Sequence, residues 1–322
     1  MTTQDPAAQE TPGEAPSLRV ADFERLFGTP AGSLPPECRA RVHQNNFAYR
    51  ALSKVGQELQ LVHVLERIDT GNLTTAGPEG KGRWEDGWGE SLIKFRSTGS
   101  FEALVPAYIR PGQPVRLDGQ YVDPHNPEFE RHWFEVFQEW LFRTTPFRDA
   151  EIIYEFGCGS GINLAKLASI YPDKRYVGLD WAAPSAQLVT ELGRQRGWRM
   201  EGKVFDFFLP DQGAQIEDGA VVFTLGALEQ TGDAWHAFLD YLLQFRPAAC
   251  VHIEPIVEWY GDWTLFDYAA KRFHRARRYW TGFPDKLKAL AEEERIQILK
   301  QKRSDFGSLY LEGYSQLIWR PL

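Results

Sequence analysis

Glu155-Phe156-Gly157-Cys158-Gly159-Ser160-Gly161 places an acid and three alternating glycines within seven residues. An apolar stretch, Ile152 to Phe156, precedes it, and Leu164, Leu167, Ala168 and Tyr171 follow at helical spacing, so the glycines fall on a strand-to-helix turn. Glycine lets backbone come close to a ligand at such a turn, and the amide groups of the helix start face it. A dinucleotide-binding turn would read G-x-G-x-x-G; counted from Gly157, its last glycine falls on Ile162, so that fingerprint fails. Two acids close the next two apolar runs: Asp180 after Tyr176 to Leu179, and Asp206 after Val204 and Phe205. A carboxylate in that place can accept two hydrogen bonds from one edge of a sugar.

Glu155-x-Gly157-x-Gly159-x-Gly161 together with Asp180 and Asp206 resembles class I (Rossmann-like) S-adenosylmethionine-dependent methyltransferases over residues 150–322, a little over half the chain. The resemblance implies S-adenosylmethionine as cofactor, held by the turn (Glu155, Gly157, Gly159 and Gly161), with Asp180 on the ribose hydroxyls and Asp206 on the adenine amine. Cys158, inside the turn, is expected to line the pocket. Trp181 and Phe207, next to the two acids, are candidates to flank the adenine, with packing under the following helix as the alternative. The family also implies a seven-stranded sheet closed by a terminal hairpin.

Methyl transfer is an in-line displacement, so the protein mainly aligns the acceptor and keeps water out. Ligands of open α/β sheets lie beyond the carboxyl ends of the strands. The loops there hold Glu229 after the fourth strand, and Glu254, Glu258, Tyr260 and Asp262 after the fifth. Alternation puts His252 and Glu254 on one face of the fifth strand. Glu229, Glu254, His252 and Glu258 are the catalytic candidates. Carboxylates suit a cationic amine or guanidine, where they fix the nitrogen and take its proton; for a hydroxyl, His252 or His236 is the more natural base. The reading therefore leans to N-methylation of a small, arginine-like acceptor, with O-methylation of a sugar or natural-product hydroxyl as the alternative and an RNA or protein substrate behind both. No metal site is expected.

The elements that must position these residues alternate strand and helix from Ala150: strands at 152–156, 176–179, 204–205, 220–224 and 250–253, and helices between them. A helix ending at Gly197 starts near Pro184, and Asp233 is placed to cap another. Arg295 to Lys302 and Tyr310 to Trp319 are joined by too short a link for a parallel crossover and should pair antiparallel. The fold class is thus α/β, a doubly wound, mostly parallel seven-stranded sheet with a C-terminal antiparallel hairpin. Residues 18–149 read as a mixed, mainly helical cap that binds substrate, with helices over 39–67 and 127–143 and a Gly- and Trp-rich segment between them. Trp84, Trp88, Tyr108, Tyr121 and Tyr260 are candidates to wall the acceptor. Residues 1–17, rich in proline and small polar residues, read as a disordered tail.

Of 322 residues, 43% are apolar and 25% charged, with a net charge of −8, which excludes a disordered or fibrous chain and argues against nucleic acid as a partner. One basic stretch, 271–303, holds eleven Lys or Arg against four acids, with Phe273, Tyr279 and Trp280 interleaved, a pattern that offers RNA or an anionic substrate a contact, one of its arginines holding a substrate carboxylate, as the alternative to a solvated helix face. Trp263, Phe266, Ala270, Phe273 and Trp280 recur through it at helical spacing, which predicts a helix packed on one face and wet on the other. Three scattered cysteines, no apolar span and no signal-peptide pattern lead to the expectation of a cytoplasmic enzyme away from membranes, with a homodimer left open.

Overall fold

A computed structural model describes residues 15–71, 73–106, 109–144, 146–210 and 214–322. Tyr108 and most of the expected tail lie outside these residues. Pro16 and Ser17, assigned to that tail, are paired: Ser17 bridges Ala48, and the Pro16 carbonyl accepts from the Tyr49 amide.

The N-terminal part runs α1 (Val20–Phe27), α2 (Pro36–Gln44), β1 (Tyr49–Ala51), α3 (Lys54–Asp69), α4 (Lys81–Thr98), β2 (Val115–Leu117), β3 (Gln120–Pro124) and α5 (Phe129–Arg143). The single helix expected over 39–67 is two helices with β1 between them. Asn45 and Asn46 stop the first, their side chains bonding the Arg41 carbonyl and the Ala48 amide. The Gly- and Trp-rich segment, left without an assigned element by the sequence, is α4. In α5 the stripe Phe129, Trp133, Phe137 and Trp140 is buried as expected, with the Trp133 and Phe137 rings stacked 5.4 Å apart.

The remainder runs β4 (Ile152–Phe156), α6 (Ile162–Ile170), β5 (Arg175–Asp180), α7 (Ala183–Arg196), β6 (Arg199–Val204), β7 (Val221–Leu225), a 3-10 turn (Leu228–Ala234), α8 (His236–Phe245), β8 (Ala249–Glu254), α9 (Leu265–Ala276), α10 (Phe283–Glu292), β9 (Ile296–Lys302), β10 (Phe306–Gly307) and β11 (Ser315–Pro321). Seven of these strands form one sheet in the order β6-β5-β4-β7-β8-β11-β9, parallel from β6 to β8, with β11 antiparallel to both neighbours. This is the doubly wound sheet with a closing antiparallel pair that the sequence predicts.

Four details differ from the expectation. The third strand is 199–204, so Phe205 already belongs to the loop beyond it. Asp233 does not cap α8; its carboxylate accepts from the Thr281 hydroxyl. Trp263 precedes the Thr264 cap of α9 and is 90% exposed, while Phe266, Ala270 and Phe273 form the buried face. The link after β9 supplies β10, which joins β1, β3 and β2 in a second antiparallel sheet.

That borrowed strand ties the two parts of the chain together. One hydrophobic core runs from Phe23, Phe27 and Trp133 through Phe306 and Tyr314 to Ile153 and Val251, so the packing is continuous across the boundary at 149. Among the described residues no helix is long and apolar enough to cross a membrane.

Candidate active site

The parallel strands β4, β5, β7 and β8 end on one side of the sheet, and a cleft of about 480 Å³, open to solvent, lies there. Its floor is the glycine turn. Gly157, Gly159 and Gly161 all have φ between 52° and 73°, the left-handed region that L side chains resist. A Cβ on Gly157 would stand 2.3 Å from the Ala227 Cβ, and one on Gly161 would stand 2.9 Å from Val189. The bare backbone of the turn is therefore a packing requirement as well as a conformational one.

Asp180 ends β5 at the edge of this floor, 5% exposed. Its Oδ2 accepts from the Gly159 amide at 2.9 Å and its Oδ1 from the Ala182 amide at 2.9 Å. Burial pushes its carboxyl up to about 6 even though both amides favour the charged form. Each oxygen keeps a lone pair for a further donor.

Aromatic rings enclose the cleft. Trp181 and Phe207 line it as expected, joined by Phe208, whose ring lies 5.6 Å from that of Trp181. From α4 come Trp84 and Trp88, one helical turn apart and stacked at 5.9 Å. Trp88 lies directly on the glycine turn, its ring atoms 2.6 to 3.1 Å from the point a Cβ on Gly159 would occupy. These tryptophans, expected at the acceptor, thus share one cleft with the glycine turn and Asp180. An ion pair from Arg96 to Glu191 holds α4 on α7, with Pro184 4.0 Å from the point a Cβ on Gly89 would occupy.

The remaining wall is the loop after β7, where Gly226, Ala227, Gln230 and Thr231 face the cleft. Sequence reasoning passed over Phe208, Gln230 and Thr231; the only signal was their adjacency to Phe207 and Glu229.

Several candidates lie beneath this surface instead. Glu155 is fully buried and supports the turn from below, its Oε1 accepting from Asn163 Nδ2 at 2.7 Å, and desolvation raises its carboxyl well above the usual range. Cys158 points away from the cleft to pack on Gly178, because the turn aims its side chain at the sheet. Asp206 bonds the Phe208 amide at 2.9 Å and does not line the cleft; it shapes the loop that presents Phe207 and Phe208.

The loop acids are likewise engaged. Glu254 is completely buried and accepts from the Ala227 and Leu228 amides at 3.2 to 3.3 Å. Glu229, 5% exposed, accepts from Gln230 Nε2 at 2.8 Å and meets the Glu254 carboxyl. Burial and the Glu229 charge hold Glu254 well above the usual carboxyl range. Glu258 accepts from the Gly282 amide at 2.6 Å at the start of α10. His252 is sealed between Phe283 and Trp319, bonded through Nδ1 to the Thr224 hydroxyl, and burial pushes it down to about 3. It is a neutral core residue.

Tyr121 and Tyr260 are not walls of the cleft either. Both surround Arg116, a fully buried guanidinium that lies 3.4 Å over the Phe266 ring and reaches Asp267 and Glu312 at 3.7 and 3.5 Å. Arg303 bridges the same two acids at 2.6 Å each. This charged knot joins β2, α9 and the loop before β11, and it claims the tyrosines because their hydroxyls satisfy its edges: Arg116 Nη1 donates to Tyr121 and the Glu312 amide to Tyr260.

Neither a protein-family model nor a curated protein sequence matches the chain. Among solved structures, the chain is similar to the [4+2]-cyclase SpnF, with 13% identity, a TM-score of 0.48, and 77% of this chain and 97% of that one covered. It is also similar to the N,N-8-amino-8-demethyl-D-riboflavin dimethyltransferase RosA from Streptomyces davawensis, with 15% identity, a TM-score of 0.42, and coverage of 73% and 69%. A third is an O-methyltransferase family 2 protein from Planctomyces limnophilus in complex with apigenin, with 14% identity, a TM-score of 0.38, and 57% of this chain covered; the chain spans 55% of that protein's length.

Proposed function

We propose that the protein is a class I S-adenosylmethionine-dependent methyltransferase acting on a small molecule, and that the acceptor atom is an amine nitrogen. One observation carries the reading. Asp180, its two oxygens held by the Gly159 and Ala182 amides, stands beside a side-chain-free glycine turn in an aromatic cleft at the strand ends.

The residues fit the cofactor. Asp180 keeps a lone pair on each oxygen for the two ribose hydroxyls, and the turn has no Cβ to fill the cradle. The rings of Trp84, Trp88, Trp181, Phe207 and Phe208 offer faces both to a flat base and to a positively charged sulfur. When bound, S-adenosylmethionine supplies a methyl group activated on a sulfonium. Trp84 and Trp88 close the cleft from α4 and limit water within it.

The nitrogen assignment rests on the loop after β7. Among the described residues lining the cleft none is a histidine, lysine or cysteine, and His252 is locked in the core, so a hydroxyl acceptor would find no strong base. An uncharged amine brings its own lone pair. Glu229 fixes the Gln230 amide by accepting from Nε2, and Gln230 Oε1 is buried without a partner, suited to accept from an amine or guanidine N–H.

The test is transfer of labelled methyl to matched amines and alcohols on the same carbon skeletons. Label should enter the amines, faster as pH rises and the amine loses its proton, and Gln230→Leu should slow transfer at least tenfold at unchanged S-adenosylhomocysteine affinity. Label in the alcohols alone would overturn the nitrogen assignment.

A further inference from the structure

Among the described residues, two arginines without an ion pair adjoin elements that line the cleft, Arg83 beside Trp84 and Arg277 through the backbone of residues 76–77. Arg83 opens α4 next to Trp84, with its guanidinium 5.1 Å from the Trp84 ring centre. Arg277 follows α9, with its guanidinium 4.9 Å from the Tyr279 ring and 5.9 Å from the Phe273 ring. Two cations of α9 have carboxylates: Lys271 pairs with Asp262 and Arg272 with Asp69. Among the described residues, Arg83 and Arg277 have ring contacts and no ion pair. Arg277 Nε is buried with no hydrogen-bond partner, in a chain whose net charge is −8 and which has acids to spare.

Backbone bonds fix Arg277 to the cleft. The Ala76 amide donates to the Arg277 carbonyl at 2.7 Å, and the next residue, Gly77, donates to the Gln230 carbonyl at 2.9 Å. One dipeptide thus stitches the arginine to the loop whose side chains line the cleft. Tyr279 lies under the Arg277 guanidinium, its ring centre 4.9 Å away. Burial and the charge of Arg277 lower the Arg83 pKa, as expected of two like charges held near each other without a counterion.

We infer that Arg277 and Arg83 form an anion subsite at the mouth of the cleft, and that the acceptor carries a carboxylate or phosphate as well as its nitrogen. A planar guanidinium stacked on an aromatic ring offers its N–H fork to two oxygens of one anion, the geometry in which arginine exceeds lysine. An anion would supply the partner Arg277 Nε lacks and remove the repulsion between the two cations. This inference names the substrate class for the methyltransferase reading and rests on it, although the subsite can be measured without it.

The experiment titrates the full-length protein, with and without S-adenosylhomocysteine, with benzoate, phenyl phosphate and the neutral benzamide, followed by tryptophan fluorescence. Wild type should bind one of the anions at least tenfold more tightly than benzamide, and the tighter anion assigns carboxylate or phosphate. Arg277→Gln should abolish that preference while leaving benzamide affinity unchanged, a split that general loosening of the fold would not produce. Arg83→Gln, nearer the surface, should reduce the preference severalfold and serves if Arg277→Gln fails to fold. Equal binding of all three probes by wild type, or full preference retained in both variants, overturns the subsite. Anion preference without S-adenosylhomocysteine binding would instead overturn the methyltransferase reading and leave the subsite standing.

Discussion

Glu254 ends β8 directly beneath the loop that carries Glu229, and the two carboxyls meet where solvent does not reach. Glu254 also receives the Ala227 and Leu228 amides, so one buried carboxyl sets the height of the loop whose Ala227 and Gln230 face the cleft. Of the two acids that the sequence suggests as catalysts, Glu254 therefore holds the backbone of the cleft loop and Glu229 holds the Gln230 side-chain amide.

Replacing Glu254 separates charge from shape. Glu254→Gln keeps an acceptor for the amides and a donor for Glu229, and should change stability by less than about 1 kcal/mol near pH 5. Glu254→Ala strands the amides and Glu229, and should cost about 2–4 kcal/mol. The folded-state pKa of Glu254 is raised above its unfolded value, so its contribution is fully present below that unfolded value and fades as pH rises. Denaturant melts from pH 5 to 8 should show Glu254→Gln gaining on wild type at the alkaline end.

Asp180 makes cofactor affinity depend on pH. Its carboxyl sits at about 6 in the free protein, and ribose hydroxyls donate to the ionised form, so binding pulls the proton off. Affinity for S-adenosylhomocysteine should be level above pH 7 and fall by up to about tenfold per unit below 6. The residual binding of Asp180→Asn should be flat over the same range.

Gly157→Ala tests the cradle. It combines a positive φ of 73° with a Cβ 2.3 Å from Ala227, whereas Gly219, at φ 75°, has open space around its Cβ position. Both substitutions should cost about 1–2 kcal/mol from backbone strain. Only Gly157→Ala should also lower cofactor affinity, by at least tenfold, because it must displace the cleft loop.

Arg116 is the keystone between β2, α9 and the loop before β11. Arg116→Leu leaves Glu312 and Asp267 short of a cation in a buried place and should cost about 3–5 kcal/mol in denaturant melts. The folded fraction should still bind S-adenosylhomocysteine, since no member of this knot lines the cleft.

The parallel sheet, the glycine turn and Asp180 at its edge were readable because they rest on local rules: apolar runs at strand length, glycines where φ must be positive, and an acid at a strand end. The α4 wall was not. Gly82, Gly87 and Gly89 argue against a helix on propensity, and α4 forms because Arg96 and Trp88 dock it on α7 and on the glycine turn. Spacing likewise placed Glu254 and His252 at or near a strand end but could not say how deep. Depth is set by partners far along the chain: the Ala227 amide for Glu254, Phe283 and Trp319 for His252. Tyr121 and Tyr260 were misplaced for the same reason, since Arg116 recruits one across a hairpin and Glu312 the other from 52 residues away.

If the cleft over the glycine turn is a cofactor site organised by Asp180, calorimetric titration of the purified protein with S-adenosylhomocysteine at pH 7.5, beside Asp180→Ala, should give saturable 1:1 binding that weakens at least tenfold in the variant while its melting temperature stays near wild type. Absence of binding to the folded wild-type protein, or equal affinity in Asp180→Ala, would contradict it.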